Sequence, residues 1–244
     1  MPAKTSKPVR RHQPATAPGG MAISSLFLNA KWSDITIVCG DKKFSAHRCV
    51  VCRQSTYFSL ACDGNFKESS GKIEMNDAEP ILVEKTLQFL YTGDYTIKRD
   101  MLNSMEMFGQ PSTPGSPASQ SVCPNLGEQT ATRFHVRMYA QGTYFQIDAL
   151  KAKAKEHFAR AFLEDPDTWA IAATVDEVYK STLVSDQGLR DVVTEKIMKF
   201  LPLLPVGPKP SVGDYIFKLV PEFTVDLCRA SLARNVELEQ MEKK

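Results

Sequence analysis

Residues 32–51 read WSDITIVCGDKKFSAHRCVV, and this stretch decides the fold. Asp34 to Cys39 carries two isoleucines, a threonine and a valine, residues that fit a pleated surface, bounded by Trp32-Ser33 and Gly40-Asp41. Gly40-Asp41 is a turn pair and Lys43 to Ala46 alternates behind it, so a β-hairpin is expected. The period changes at once afterwards. From Arg48 to Ala61 the apolar set Cys49, Val50, Val51, Tyr57, Phe58, Leu60 and Ala61 fits one or two short helices, with Ser55 as a cap between them.

Outward from this stretch, Lys72 to Met75 is a short alternating strand after Gly71. Glu79 to Tyr91 is a predicted helix with Pro80 in its first turn and Val83, Leu87, Leu90 and Tyr91 along one stripe, ended by Gly93-Asp94. Arg133 to Phe145 and Ile147 to Phe162 have helical patterning, with Gly142 and Gln146 marking their junction. Residues 109–130 read GQPSTPGSPASQSVCPNLGEQT, a composition that argues against helix or strand, so a disordered insertion is expected there. Residues 1–22 contain no acid, four prolines and no apolar period, which predicts a disordered basic tail. Residues 163–240 are predicted wholly helical. Trp169, Ala172, Ala173, Val178 and Tyr179 make one face, and Leu189, Val192, Val193, Lys196, Ile197 and Phe200 a cleaner one after Ser185-Asp186. Ser211 to Val220 and Pro221 to Val236 follow, with the final ELEQMEKK fraying into solvent.

The 244 residues, 43% hydrophobic and 24% charged, exclude disorder throughout and suffice to bury a core without covalent staples. The formal charge is +2, but Lys4, Lys7, Arg10 and Arg11 of the tail supply it, and the rest of the chain carries slightly more acid than base. A nucleic-acid groove needs clustered excess cation, so nucleic acid is not an expected partner of the body. No run of about 18 apolar residues is present, and no membrane partner is expected. Six cysteines without a secretory signal read as reduced thiols, which places the protein in the cytoplasm, the nucleus or both.

The order of these elements, with WSDITIVCGDKKFSAHRCVV, then Tyr57-Phe58, CDGNFKES from Cys62, Ile73-Glu74-Met75 and LQFLYTGDY from Leu87 to Tyr95, resembles a BTB/POZ domain, particularly of the fungal type. VRMYAQGTYFQIDALK from Val136 to Lys151 is similar to the helix pair that closes such domains. The residues themselves argue for an α+β architecture, a small mixed sheet with helices packed on it over residues 30–162, followed by an all-helical extension. The resemblance implies a protein-interaction module: an adaptor recruiting partners to a cullin-based ubiquitin ligase, or an oligomerisation and transcription-regulatory scaffold. Asp34, His47, Tyr91 and Gly93 carry the fold signature. Phe66-Lys67-Glu68 resembles the hydrophobic-x-Glu element by which BTB adaptors grip a cullin. The resemblance also implies homodimers, although the N-terminal helix used in many of them is reduced to Met21 to Leu28.

Sharper chemistries have weaker support. His47, Cys49, Cys52 and Cys62 could suggest zinc or redox activity, but cysteines three apart on a helix read better as small core residues. His47 reads as a capping or buried hydrogen-bonding group. His135 and His157 have no partner that the sequence places beside them. Asp165 and Asp167 read as a helix cap, and Lys151, Lys153 and Lys155 as a solvated face. No nucleophile elbow, P-loop, zincin or dinucleotide motif occurs, so neither catalysis, a metal, a cofactor nor a small-molecule substrate is expected.

Overall fold

The computed structural model describes residues 23–63, 71–98, 126–164, 168–200 and 212–242. Strands β1 (Ile35–Cys39) and β2 (Lys42–Ala46) form the expected antiparallel hairpin with Ile37 opposite Phe44, turning at Gly40, whose φ of 54° lies in the left-handed region. Strand β3 (Lys72–Glu74) joins the other edge of β1 in parallel, Ile73 beside Ile37, so the sheet order is β2-β1-β3. A parallel neighbour needs a crossover, and helices α1 (Arg48–Gln54) and α2 (Thr56–Asp63) lie within it. Ile35, Ile37 and Cys39 are buried while Thr36 and Val38 are only half-buried, the alternation of a strand with one core face.

Ser55 separates the two helices as the sequence suggests. Its hydroxyl accepts the Phe58 N–H (3.2 Å), the capping contact that satisfies a first-turn donor, and donates to the Phe145 carbonyl (2.7 Å). Cys49 and Leu60, expected on the apolar side, are exposed instead, because each short helix turns its core stripe through Val50, Val51, Phe58 and Cys62. Helix α3 (Pro80–Thr92) follows with Pro at its first turn and buries Val83, Leu87, Leu90 and Tyr91.

Helices α4 (Leu126–Tyr144) and α5 (Asp148–Glu164) form a hairpin whose turn is at Gln146, with φ of 54°. Two expectations change here. The insertion ends earlier than residue 130, since α4 begins at Leu126: beyond Pro124 nothing in the sequence stops a helix from extending back. Gly142 does not mark the junction but lies inside α4, where a Cβ would sit 2.9 Å from the Lys151 backbone nitrogen, so its missing side chain lets the two helices touch. Residues 1–22 and 109–125 lie outside the described residues.

The last third is helical: α6 (Thr168–Ser181), α7 (Gly188–Phe200), α8 (Val212–Leu219) and α9 (Pro221–Glu242). Leu189, Val193 and Ile197 are buried as expected, and one continuous apolar cluster runs from Ile35 of the sheet to Leu227 of α9. Ala173 is exposed, the buried face of α6 being Ile171, Ala172, Val175, Val178 and Tyr179. Helix α9 continues through the segment expected to fray.

Candidate partner-binding site

Phe66, Lys67 and Glu68 lie outside the described residues, as do Asp165 and Asp167; what is described is the frame on either side of residues 64–70. On the N-terminal side α2 ends at Asp63, whose carboxylate accepts the Ser59 hydroxyl (3.2 Å), one turn after the fully buried Phe58. On the C-terminal side Gly71 has φ of 90°, its carbonyl accepts the Thr36 N–H (2.8 Å), and a Cβ on it would lie 3.3 Å from the Asp34 carbonyl. That backbone needs a glycine for both conformation and space.

Next to Gly71 lie three of the fold-signature residues. Asp34 Oδ1 accepts the Arg48 N–H (2.8 Å), satisfying a donor that the start of α1 leaves without an intrahelical partner. His47 is buried and held three ways. Its main-chain N–H donates to Tyr91 Oη (2.9 Å), Nε2 lies 2.8 Å from the Lys31 carbonyl and Nδ1 lies 2.7 Å from Tyr91 Oη. A carbonyl can only accept, so Nε2 carries the proton and Nδ1 accepts the Tyr91 hydroxyl. Burial pushes the Tyr91 phenol up to about 12, keeping it a donor. Gly93 sits two residues beyond Tyr91, at φ of 77°, and its N–H donates to the Phe89 carbonyl (2.7 Å) to close α3. The structure thus brings Asp34, His47 and Tyr91 together in one polar seam, with Gly93 ending the helix that carries Tyr91.

The zinc-like set is not gathered. Both ring nitrogens of His47 are engaged as above and Cys49 is exposed, and the described residues contain no group of three His, Cys, Asp or Glu placed to hold a metal ion. Cys39 donates to the Ala78 carbonyl (3.0 Å) and Cys52 to the Phe58 carbonyl (3.5 Å). Burial, with the neighbouring Cys62 thiol second, raises Cys52 to about 12, the state of an inert thiol.

Two polar clusters have no counterpart in the sequence reading. At the end of α3, Asp94 Oδ1 faces His157 Nε2 (2.7 Å), the Tyr95 hydroxyl faces His135 Nδ1 (2.8 Å), and the two imidazoles stack at 5.2 Å. Burial, reinforced by His157 and Arg160, lowers His135 to about 3 and so keeps it neutral. Between α6 and α7, Asp186 accepts the Tyr139 hydroxyl (2.6 Å), Lys151 Nζ (2.8 Å) and the Gly188 N–H (3.2 Å), tying the helical extension to the α4–α5 hairpin. Lys151 is consequently an ion-paired, half-buried residue and not part of a solvated face. No sequence period links these positions.

The model of the BTB/POZ domain family matches residues 23–109. Zinc finger and BTB domain-containing protein 14 of Homo sapiens is 36% identical over 83 residues, 34% of this chain and 18% of that protein. Kelch-like protein 30 of Mus musculus is 32% identical over 94 residues, 38% of this chain and 16% of that protein. Kelch-like protein 41b of Danio rerio is 24% identical over 144 residues, 57% of this chain and 24% of that protein. The chain thus spans no more than about a quarter of the length of these relatives. All three are vertebrate proteins, so the fungal spelling of the segment rests on the sequence resemblance alone.

Proposed function

From the premise that residues 23–109 form a BTB/POZ domain, a protein-interaction fold, we propose that this chain is an adaptor that docks a cullin scaffold through Phe66-Lys67-Glu68 and presents another protein to the ligase. The observation that carries the reading is the sequence Phe66-Lys67-Glu68 itself, which resembles the hydrophobic-x-Glu element of cullin-binding BTB adaptors and lies within the stretch that the BTB/POZ family model matches. A small aromatic anchor with a charged neighbour at its rim is the kind of contact that dominates protein interfaces. The similarity to Kelch-like proteins supports the same reading. The described cysteines are all free thiols, which suits a reducing compartment, and the proposed place of action is the cytoplasm or nucleus.

Affinity capture from cell extract with the tagged full chain tests this. The wild type is expected to retain a cullin together with ubiquitin-ligase subunits, and Phe66→Ala to lose them while keeping its other partners. The similarity to a zinc-finger BTB protein favours a second reading, an oligomerisation scaffold in transcriptional regulation. Capture of regulatory proteins without a cullin by the wild type would select it.

A further inference from the structure

Helix α9 differs around its axis and along its length. One side packs inward, burying Phe223 and Leu227, and sets the Asp226 carboxylate 2.8 Å from the Tyr179 hydroxyl and 3.9 Å from the buried Arg190 guanidinium. The opposite side presents Val225, Leu232 and Val236 to solvent, at 49%, 67% and 53% exposure. At about 100° per residue these three share one face within roughly 40°. Every residue from Leu232 to Met241 is exposed. An isolated helix of this length is marginal in water, and an apolar stripe on it is an interaction surface more often than an accident.

The charges on that face say what covers it. Arg229 flanks the stripe on its N-terminal part, its side chain 75% exposed and 3.6 Å from an Asp226 carboxylate that Tyr179 and Arg190 already share. Glu239, also exposed, continues the stripe beyond Val236, within roughly 20° of Leu232 around the axis. Exposed Glu222 lies one heptad before Arg229, but from Arg229 to Glu239 the face is basic, then apolar, then acidic, with each charge three residues from the apolar pair, so this segment is complementary to itself when reversed. We propose that this face of α9 binds the same face of a second copy of the chain, antiparallel, about a two-fold axis midway along the helix between Leu232 and Val236. In that register Leu232 meets the partner's Val236 and Arg229 comes opposite the partner's Glu239, each contact occurring twice by symmetry. A parallel in-register pair would instead set Glu239 against Glu239 and Arg229 against Arg229, which like-charge repulsion disfavours.

Sedimentation equilibrium of the full chain over a range of concentrations tests the pairing. The wild type is expected to show one association step that the double variant Leu232→Glu/Val236→Glu lacks, with both melting at the same temperature at concentrations below that step, because neither side chain is buried in the single chain. Arg229→Glu and Glu239→Arg should each weaken that step about tenfold, and the two together should restore it, because the reversed charges again meet in the antiparallel register. A mass distribution unchanged by Leu232→Glu/Val236→Glu would overturn the proposal, whatever association occurs through the BTB domain. A combined charge swap no better than either single one would overturn the antiparallel pairing.

Discussion

The Tyr91 hydroxyl serves His47 twice, accepting its main-chain N–H and donating to its Nδ1 in a site closed to water. Tyr91→Phe leaves both nitrogens buried and unpaired, and a cost of about 1–3 kcal/mol in urea unfolding is expected. His135 adds a pH dependence with a definite sign. Its folded value of about 3 lies below the ordinary 6.5, so the folded state binds fewer protons than the unfolded chain at this site. The stability that goes with the neutral imidazole is complete above about pH 6.5 and is lost as pH falls through the window from 6.5 toward 3. Melting temperatures of the wild type should fall between pH 7 and pH 5, and His135→Phe should flatten that slope even if it lowers the plateau by removing the Tyr95 partner. An equally steep slope in the variant would show that other groups carry the acid response. His47 was legible as a hydrogen-bonding residue because it stands where a β-period gives way to a helical one. The stacking of His135 on His157 was not, since it depends on the crossing of α4 and α5, which no local pattern encodes.

Local composition was a good guide to elements and a poor one to contacts between them. The hairpin, the Ser55 break and α3 followed from turn residues, a cap and a proline, all of which act within a few positions of themselves. Cys49, Leu60 and Ala173 were misplaced because one helical turn leaves the edge of an apolar stripe ambiguous until its neighbours are known. Gly142 shows the same limit. In sequence it reads as punctuation, and in the structure it is the point where α4 lies against the backbone of Lys151. Alanine is the better helix former by about 1 kcal/mol, yet Gly142→Ala is expected to destabilise the protein by about 1–3 kcal/mol because its methyl group forces the helices apart. Chemical denaturation reads the sign directly, and a stabilised variant would mean that the hairpin relaxes freely.

At the scale of the whole molecule, the helical extension and the sheet-bearing part share one apolar cluster, with Asp186 tying the loop before α7 to Tyr139 and Lys151. A chain ending at Phe162 would uncover the residues that meet Leu189, Val193 and Ile197, each worth about 1.5–3 kcal/mol of burial, and is expected to lose solubility and melt earlier than the full chain. Equal solubility and melting temperature would show that the extension contributes little to the body. The sequence also carried the three residues proposed to grip a cullin, on resemblance and not on geometry, and the account depends most on them. The deciding measurement is a calorimetric titration of the full chain with a purified cullin scaffold, for the wild type and for Phe66→Ala, alongside their melting temperatures. The account predicts saturable binding by the wild type, a loss near 2 kcal/mol or about thirtyfold in affinity for Phe66→Ala, and unchanged melting. A wild type that does not bind the scaffold, or a stably folded Phe66→Ala that binds it equally well, would contradict it.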